Sequence, residues 1–162
     1  MAFPTNPVDG QIYKDYEYNN GLWRKLKSLG FQVKHPAITS TQNTIIWGSV
    51  VHDSHNCFSE ATGLFTAPVS GLYTFSFNAL MRLSNEETYH RLWWIINGSK
   101  DAITGDTLAG GDSTAFDGWD YDYSTMSMTF YLNAADTIGV FNEGPGPTYG
   151  TGYGAFSGFL VN

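Results

Sequence analysis

The sequence is short of charge, of basic residues, of cysteine and of long apolar runs, and each shortage removes a class of function. Asp, Glu, Lys and Arg make up 14% of the 162 residues, well under the quarter typical of soluble domains. Eight Lys and Arg stand against fifteen Asp and Glu, a formal net charge of −7. A nucleic-acid surface carries a basic stripe, so this balance argues against nucleic acid and against an anionic membrane; it reads as a source of solubility. Cys57 is the only cysteine, which excludes an internal disulfide and a thiolate metal cage. It is expected as a small buried apolar side chain, with a bridge between chains or a reactive thiol as the alternative. No apolar run reaches the ~18 residues of a spanning helix, so no membrane insertion is expected. The opening Met-Ala-Phe-Pro-Thr-Asn-Pro has no positive n-region and no apolar h-region, and the chain is expected to be made in a cytoplasm without a signal peptide. Nucleophile elbows and phosphate loops are missing too. No catalytic residue and no cofactor is therefore expected.

What the chain does have is 16% aromatic residues and 18 glycines, the composition of strands joined by tight turns. Tyr73, Phe75, Phe77 and Ala79 alternate with Leu72, Thr74, Ser76 and Asn78, the period of a half-buried strand. The stretch from Thr125 to Leu132 alternates in the same way, with Met126, Met128 and Phe130 on one face. Thr44 to Val51 and Arg91 to Ile96 are continuous bulky strands, the second ended by Asn97-Gly98. Short strands are expected at Leu64–Ala67, Thr137–Phe141 and Ala155–Val161. No segment sustains a helical repeat. Eight or more short strands with turn signals between them indicate a sandwich or jelly roll. Residues 101–123 and 143–154 are Gly-rich and are expected as long loops.

Residues 1–29 differ from the rest. Pro4, Pro7 and Asp9-Gly10 are turn formers, and Asn19-Asn20-Gly21 supplies the positive φ of a hairpin turn. A two- or three-stranded aromatic ribbon carrying Tyr13, Tyr16, Tyr18 and Trp23 is expected, with residues 30–162 forming the main domain. A ribbon this small is marginal alone and must pack on something.

The segment Gly63-Leu64-Phe65-Thr66-Ala67-Pro68 followed by Gly71-Leu72-Tyr73-Thr74-Phe75-Ser76-Phe77 resembles the signature of complement C1q/tumour-necrosis-factor globular heads. The C-terminal Phe156-Ser157-Gly158-Phe159-Leu160-Val161 resembles the closing strand of the same family. The resemblance implies an all-β, ten-stranded jelly roll that assembles as a homotrimer and acts by recognition or assembly. Phe65, Tyr73, Phe75, Phe77, Phe156 and Phe159 are then core residues that specify the fold. The stretch from Phe3-Pro4 to Leu22-Trp23 is similar to a short segment recurrent in structural proteins and fibres of tailed bacteriophages. It implies a virion protein, either a tail-fibre tip that attaches to the host or a capsid decoration protein. Its N-terminal ribbon would grip other virion proteins through Tyr13, Tyr16, Tyr18 and Trp23. A cellular C1q-like module binding carbohydrate or protein is the alternative.

Two clusters fall in the presumed loops. Trp119, Tyr121, Tyr123, Tyr149 and Tyr153 suit contact with a host surface glycan or protein, or burial in the trimer seam. Asp112, Asp117, Asp120 and Asp122 are candidates for calcium, which takes several carboxylate oxygens and which the resemblance makes conceivable; a solvated acidic loop is the simpler reading. His52 and His55 match no common zinc spacing and are expected in a polar loop.

Overall fold

A computed structural model describes residues 3–13, 16–25, 29–34, 43–84, 90–100, 106–109, 119–143 and 153–161. Regular structure among them is entirely β. A ribbon of β1 (Ile12–Tyr13), β2 (Tyr16–Asn19) and β3 (Leu22–Lys25) precedes a two-sheet sandwich. Its strands are β4 (Gly30–Lys34), β5 (Asn43–Thr44), β6 (Ser49–Asp53), β7 (Phe58–Ser59), β8 (Leu64–Thr66), β9 (Gly71–Ser84), β10 (His90–Ile96), β11 (Ser99–Lys100), β12 (Asp106–Ala109), β13 (Trp119–Leu132), β14 (Thr137–Asn142) and β15 (Gly154–Val161).

The front sheet runs β13-β9-β15-β4-β6 and the back sheet β11-β10-β14-β8-β7. In the back sheet β12 continues the line of β11 along β10, and β5 continues the line of β8 along β14. Among the described residues each sheet therefore has five strand positions, and the sandwich has the ten expected. All pairings are antiparallel.

Alternation in β9 drives the packing. Tyr73, Phe75, Phe77, Ala79 and Met81 are buried, while Leu72, Ser76 and Asn78 on the other face are exposed. The buried rings lock between the sheets. Phe31 stacks on Phe58 at 5.0 Å and on Phe65 at 5.1 Å, and Phe77 meets Trp94 edge-on at 5.0 Å. Each such ring contributes about 1.5–3 kcal/mol by burial alone. Tyr73 satisfies its hydroxyl by donating to the Val69 carbonyl at 2.7 Å, and burial pushes its phenol up to about 12. The Asn-Gly steps turn as expected: Asn20 and Gly21 have φ 48° and 80°, Asn97 and Gly98 51° and 78°, the pair of positive values of a type I′ hairpin turn.

Three expectations fail. Thr44 to Val51 is not one strand: β5 belongs to the back sheet and β6 to the front. Ile45 and Trp47 cross between them with their side chains buried. The Ile45 amide bonds to Val140 on one side and the Gly48 amide to Lys34 on the other, so an apolar run here marks a crossing through the core. Residues 101–123 are not one long loop, because β12 and the first turn-free stretch of β13 lie within them. Trp119-Asp120-Tyr121-Asp122-Tyr123 continues β13 and pairs with Ser84 to Leu80 of β9. Phe159 is not a core residue; it is 56% exposed. Phe156 and Phe159 are an odd number of residues apart, and a strand sends them to opposite faces.

The ribbon solves its marginal size in its own way. Tyr18 opposes Trp23 and Tyr13 opposes Tyr16, and Phe3 closes over them. Its ring stacks on Trp23 at 5.1 Å and meets Tyr16 edge-on at 5.2 Å. Ile12 packs against the core of the head.

Candidate interaction face

The outer surface of the front sheet is built in rows across β13, β9 and β15, because residues opposite each other in register share a face. At one end lie Tyr131, Leu72 and Val161, followed by Thr129, Thr74 and Phe159. The middle holds Ser127, Ser76 and Ser157, then Thr125, Asn78 and Ala155. At the far end Tyr123 stands beside Leu80, whose amide bonds to the Tyr153 carbonyl at 3.0 Å. No position in these rows is charged, and the exposed Lys34 of β4, opposite Ala155, borders them. Tyr131 is 64% exposed, Phe159 56% and Leu72 49%. The polar groups between the apolar ends are small and largely bonded within the sheet. Thr74 and Thr129 share a hydroxyl bond of 2.8 Å, Ser127 donates to the Phe75 carbonyl, and Asn78 accepts the Ala155 amide. The result is a surface with little to lose on desolvation.

The outer surface of the back sheet is different. There the Lys100 ammonium lies 5.6 Å from the Trp93 ring centre and 5.3 Å from that of Phe141. Glu143 pairs with Lys100 and accepts the Trp93 indole N–H. The ammonium beside it holds the Glu143 carboxyl below the usual range.

Of the expected contact residues, Tyr123 and Tyr153 come together at one end of the front face, flanking Leu80. Trp119 and Tyr121 lie further along β13, opposite Ser84 and Arg82, so they are strand residues rather than loop residues. Tyr149 lies outside the described residues. Of the calcium candidates, Asp120 and Asp122 are also in β13, opposite Leu83 and Met81, and Asp112 and Asp117 lie outside the described residues. Among the described residues no three His, Cys, Asp or Glu side chains gather as a metal site. The expected arm residues Tyr13, Tyr16, Tyr18 and Trp23 are half-buried in their own cluster under Phe3.

Asp53 was not anticipated. Its carboxylate accepts the amides of His55 at 3.3 Å, Cys57 at 3.0 Å and Phe58 at 3.0 Å, and the Cys57 thiol at 3.0 Å. Burial pushes this carboxyl up, and the four bonds outweigh it, so it ends below its ordinary value. The signal was an Asp at the head of a polar turn, whose side chain bonds the backbone ahead of it. Burial, and then the neighbouring Asp53 carboxylate, push the Cys57 thiol well up, which leaves it an unreactive buried group. The neighbouring Ser54 is no nucleophile either: its Oγ is pinned to both the amide and the carbonyl of Gly30 at 3.0 and 3.1 Å.

A cavity of about 510 Å³ opens where ribbon meets head, lined by Ile12 and Tyr13 on one side and Pro68, Val69, Ser70, Ala134 and Leu160 on the other. Its lining is largely apolar.

The sequence matches the C1q domain family over residues 30–161. Among solved structures, the globular domain of zebrafish complement 1qA protein is similar with a TM-score of 0.57 and 17% identity, over 82% of this chain and 97% of that one. Murine APRIL is similar with a TM-score of 0.62 and 13% identity, over 83% and 100%. The Eiger TNF of S. frugiperda gives a TM-score of 0.62 and 10% identity, over 83% and 93%. At these identities the structures establish a shared jelly-roll fold.

Proposed function

The chain belongs to the C1q domain family, and from that premise we propose that it works as a non-enzymatic homotrimeric structural protein of a tailed-phage virion. It would serve as a fibre tip or as a capsid decoration. The observation that carries the trimer is the uncharged patch across β13, β9 and β15 on the front face. A protomer that exposes Tyr131, Leu72, Phe159 and Val161 beside a band of small hydroxyl side chains gains by covering them with copies of itself. Tumour-necrosis-factor-like heads assemble threefold, in keeping with such a face.

The virion role rests on the N-terminal segment, whose Pro, Asp-Gly and aromatic pattern is similar to that of phage structural proteins. Three ribbons on one trimer would bind together, so that weak individual contacts add up to firm attachment. Val8 and Leu22, 69% and 59% exposed, are ribbon side chains free to make them. Tyr123 and Tyr153 would meet a host glycan or protein, or line the seam at that end of the trimer. Deleting residues 1–29 tests the arm: the truncated head is expected to fold and to be missing from purified particles. Incorporation at wild-type copy number contradicts the role. If the full chain is absent from particles as well, the cellular recognition module remains.

A further inference from the structure

We propose that Asn20 is a self-modifying site, where the N-terminal ribbon converts its own turn to aspartate and isoaspartate while the matching turn of the head stays intact. The chain has two Asn-Gly steps, Asn20-Gly21 and Asn97-Gly98. Both are exposed, and both form the same hairpin turn, with φ of 48° and 80° in the first and 51° and 78° in the second. Open space surrounds each glycine where a side chain would stand. The chemistry is internal to the step. The Gly21 backbone nitrogen attacks Cγ of the Asn20 side chain. An N–Cγ bond forms, the Cγ–Nδ2 bond breaks, and ammonia leaves with the glycine amide proton. Water then opens the resulting succinimide at either carbonyl and gives aspartate or isoaspartate. Glycine permits the closure because it has no side chain to obstruct it.

What separates the two turns is the asparagine side chain. Asn97 Nδ2 donates to Asp136 Oδ1 at 2.9 Å, and Asn97 Oδ1 accepts the Thr137 amide at 2.9 Å. These bonds fix the side chain against the start of β14. The Asn20 side chain makes no hydrogen bond among the described residues; its backbone amide alone is tied, to Asp9 Oδ1 at 3.1 Å. Ring closure also needs the turn to open, and short, lightly packed elements open most readily. Asn20 joins two strands of four residues each. Asn97 ends the seven-residue β10, which pairs with β14 along five positions. Conversion at Asn20 places a second negative charge beside Asp9. The isoaspartate form also lengthens the main chain by a methylene inside the turn. Turn length sets the register of a hairpin, so the facing of Tyr18 and Trp23 is lost. The ribbon therefore ages while the head does not, whatever the ribbon grips.

The test is peptide mapping by mass spectrometry of the full chain, kept in mildly alkaline buffer both folded and in denaturant. The denatured chain, in which both steps react, gives the reference rate for each. Relative to it, conversion in the folded chain is expected to be about tenfold faster at Asn20 than at Asn97, the worth of a hydrogen bond or two. Asp136→Ser removes the tie on Asn97 Nδ2. With its fold checked by melting, this variant should convert faster at Asn97 and at the parental rate at Asn20. Equal relative rates at the two steps in the folded parent, or faster conversion at Asn97, overturn the assignment. So does a folded Asp136→Ser variant in which Asn97 converts no faster than before.

Discussion

The two outer surfaces of the sandwich are both rich in rings and are finished differently. On the back sheet, Trp93 and Phe141 lie under the Lys100 ammonium, and Glu143 ties that ammonium down. On the front sheet, Tyr131, Phe159 and Leu72 carry no such cover, and no charged side chain stands in the rows between them and Tyr123. Charge over a ring suits a surface that stays in water, since the ammonium keeps its hydration while the ring is shielded. Rings without charge suit a surface that leaves water on assembly, where burying an ion would cost more than it returns. The contrast shows that exposure of an aromatic residue says little until its neighbours are counted.

Both surfaces depend on one shared interior, and the largest effect is expected there. Phe75→Ala should lower stability by about 3–5 kcal/mol in denaturant unfolding, while Ser76→Ala, one residue along on the front face, should change it by about 0.5 kcal/mol or less. Equal losses would mean that the faces of β9 are wrongly assigned. Gly158→Ala comes next. A methyl at that position would lie 2.3 Å from Phe75 Cδ1 and 3.0 Å from a Phe31 ring atom, an overpacking expected to cost about 1–3 kcal/mol. A variant as stable as the parent would show that the rings can give way.

Position 158 also shows what the sequence hides. The alternation of β9 and of β13 from Thr125 onward is readable because polar and apolar residues take turns. Trp119 to Tyr123 takes turns just as cleanly, but its aspartates suggest a loop, and the strand emerges only once β9 is seen to extend to Ser84 as its partner. The closing strand reads as a core motif because two phenylalanines frame it. Period two puts Phe156 inside and Phe159 outside, with Gly158 as the inner neighbour that makes room for Phe75. The uncharged patch on the front face was out of reach altogether, because it is assembled from three strands distant in sequence and appears only with their register. The Asp53 carboxylate, holding amides up to Phe58, likewise needs the turn geometry that Asn56 enters at φ 50°.

Asp53 gives a smaller, pH-dependent effect. Its folded carboxyl lies below the ordinary 3.8, so the unfolded chain takes up its proton first as pH falls. The stability it contributes is present above that value and is lost as pH drops through the folded one. Asp53→Asn should therefore melt at a temperature that changes less than the parent's between pH 5 and pH 2. An identical acid dependence would remove Asp53 from the explanation. The smallest effect belongs to the back surface. Lys100→Ala should cost about 1 kcal/mol or less and leave the mass of the assembly unchanged; a change of mass would place the partner on the wrong sheet.

The most direct test is the mass of the protein in solution by light scattering, for the parent and for Phe159→Asp. The parent is expected near 54 kDa, three times the 17.9 kDa of one chain. The variant, folded as judged by its melting, is expected near 17.9 kDa, because a carboxylate in a dry interface has no partner there. A monodisperse parent at the mass of a single chain, or a trimer that tolerates Asp at 159, would contradict the assignment of the front face.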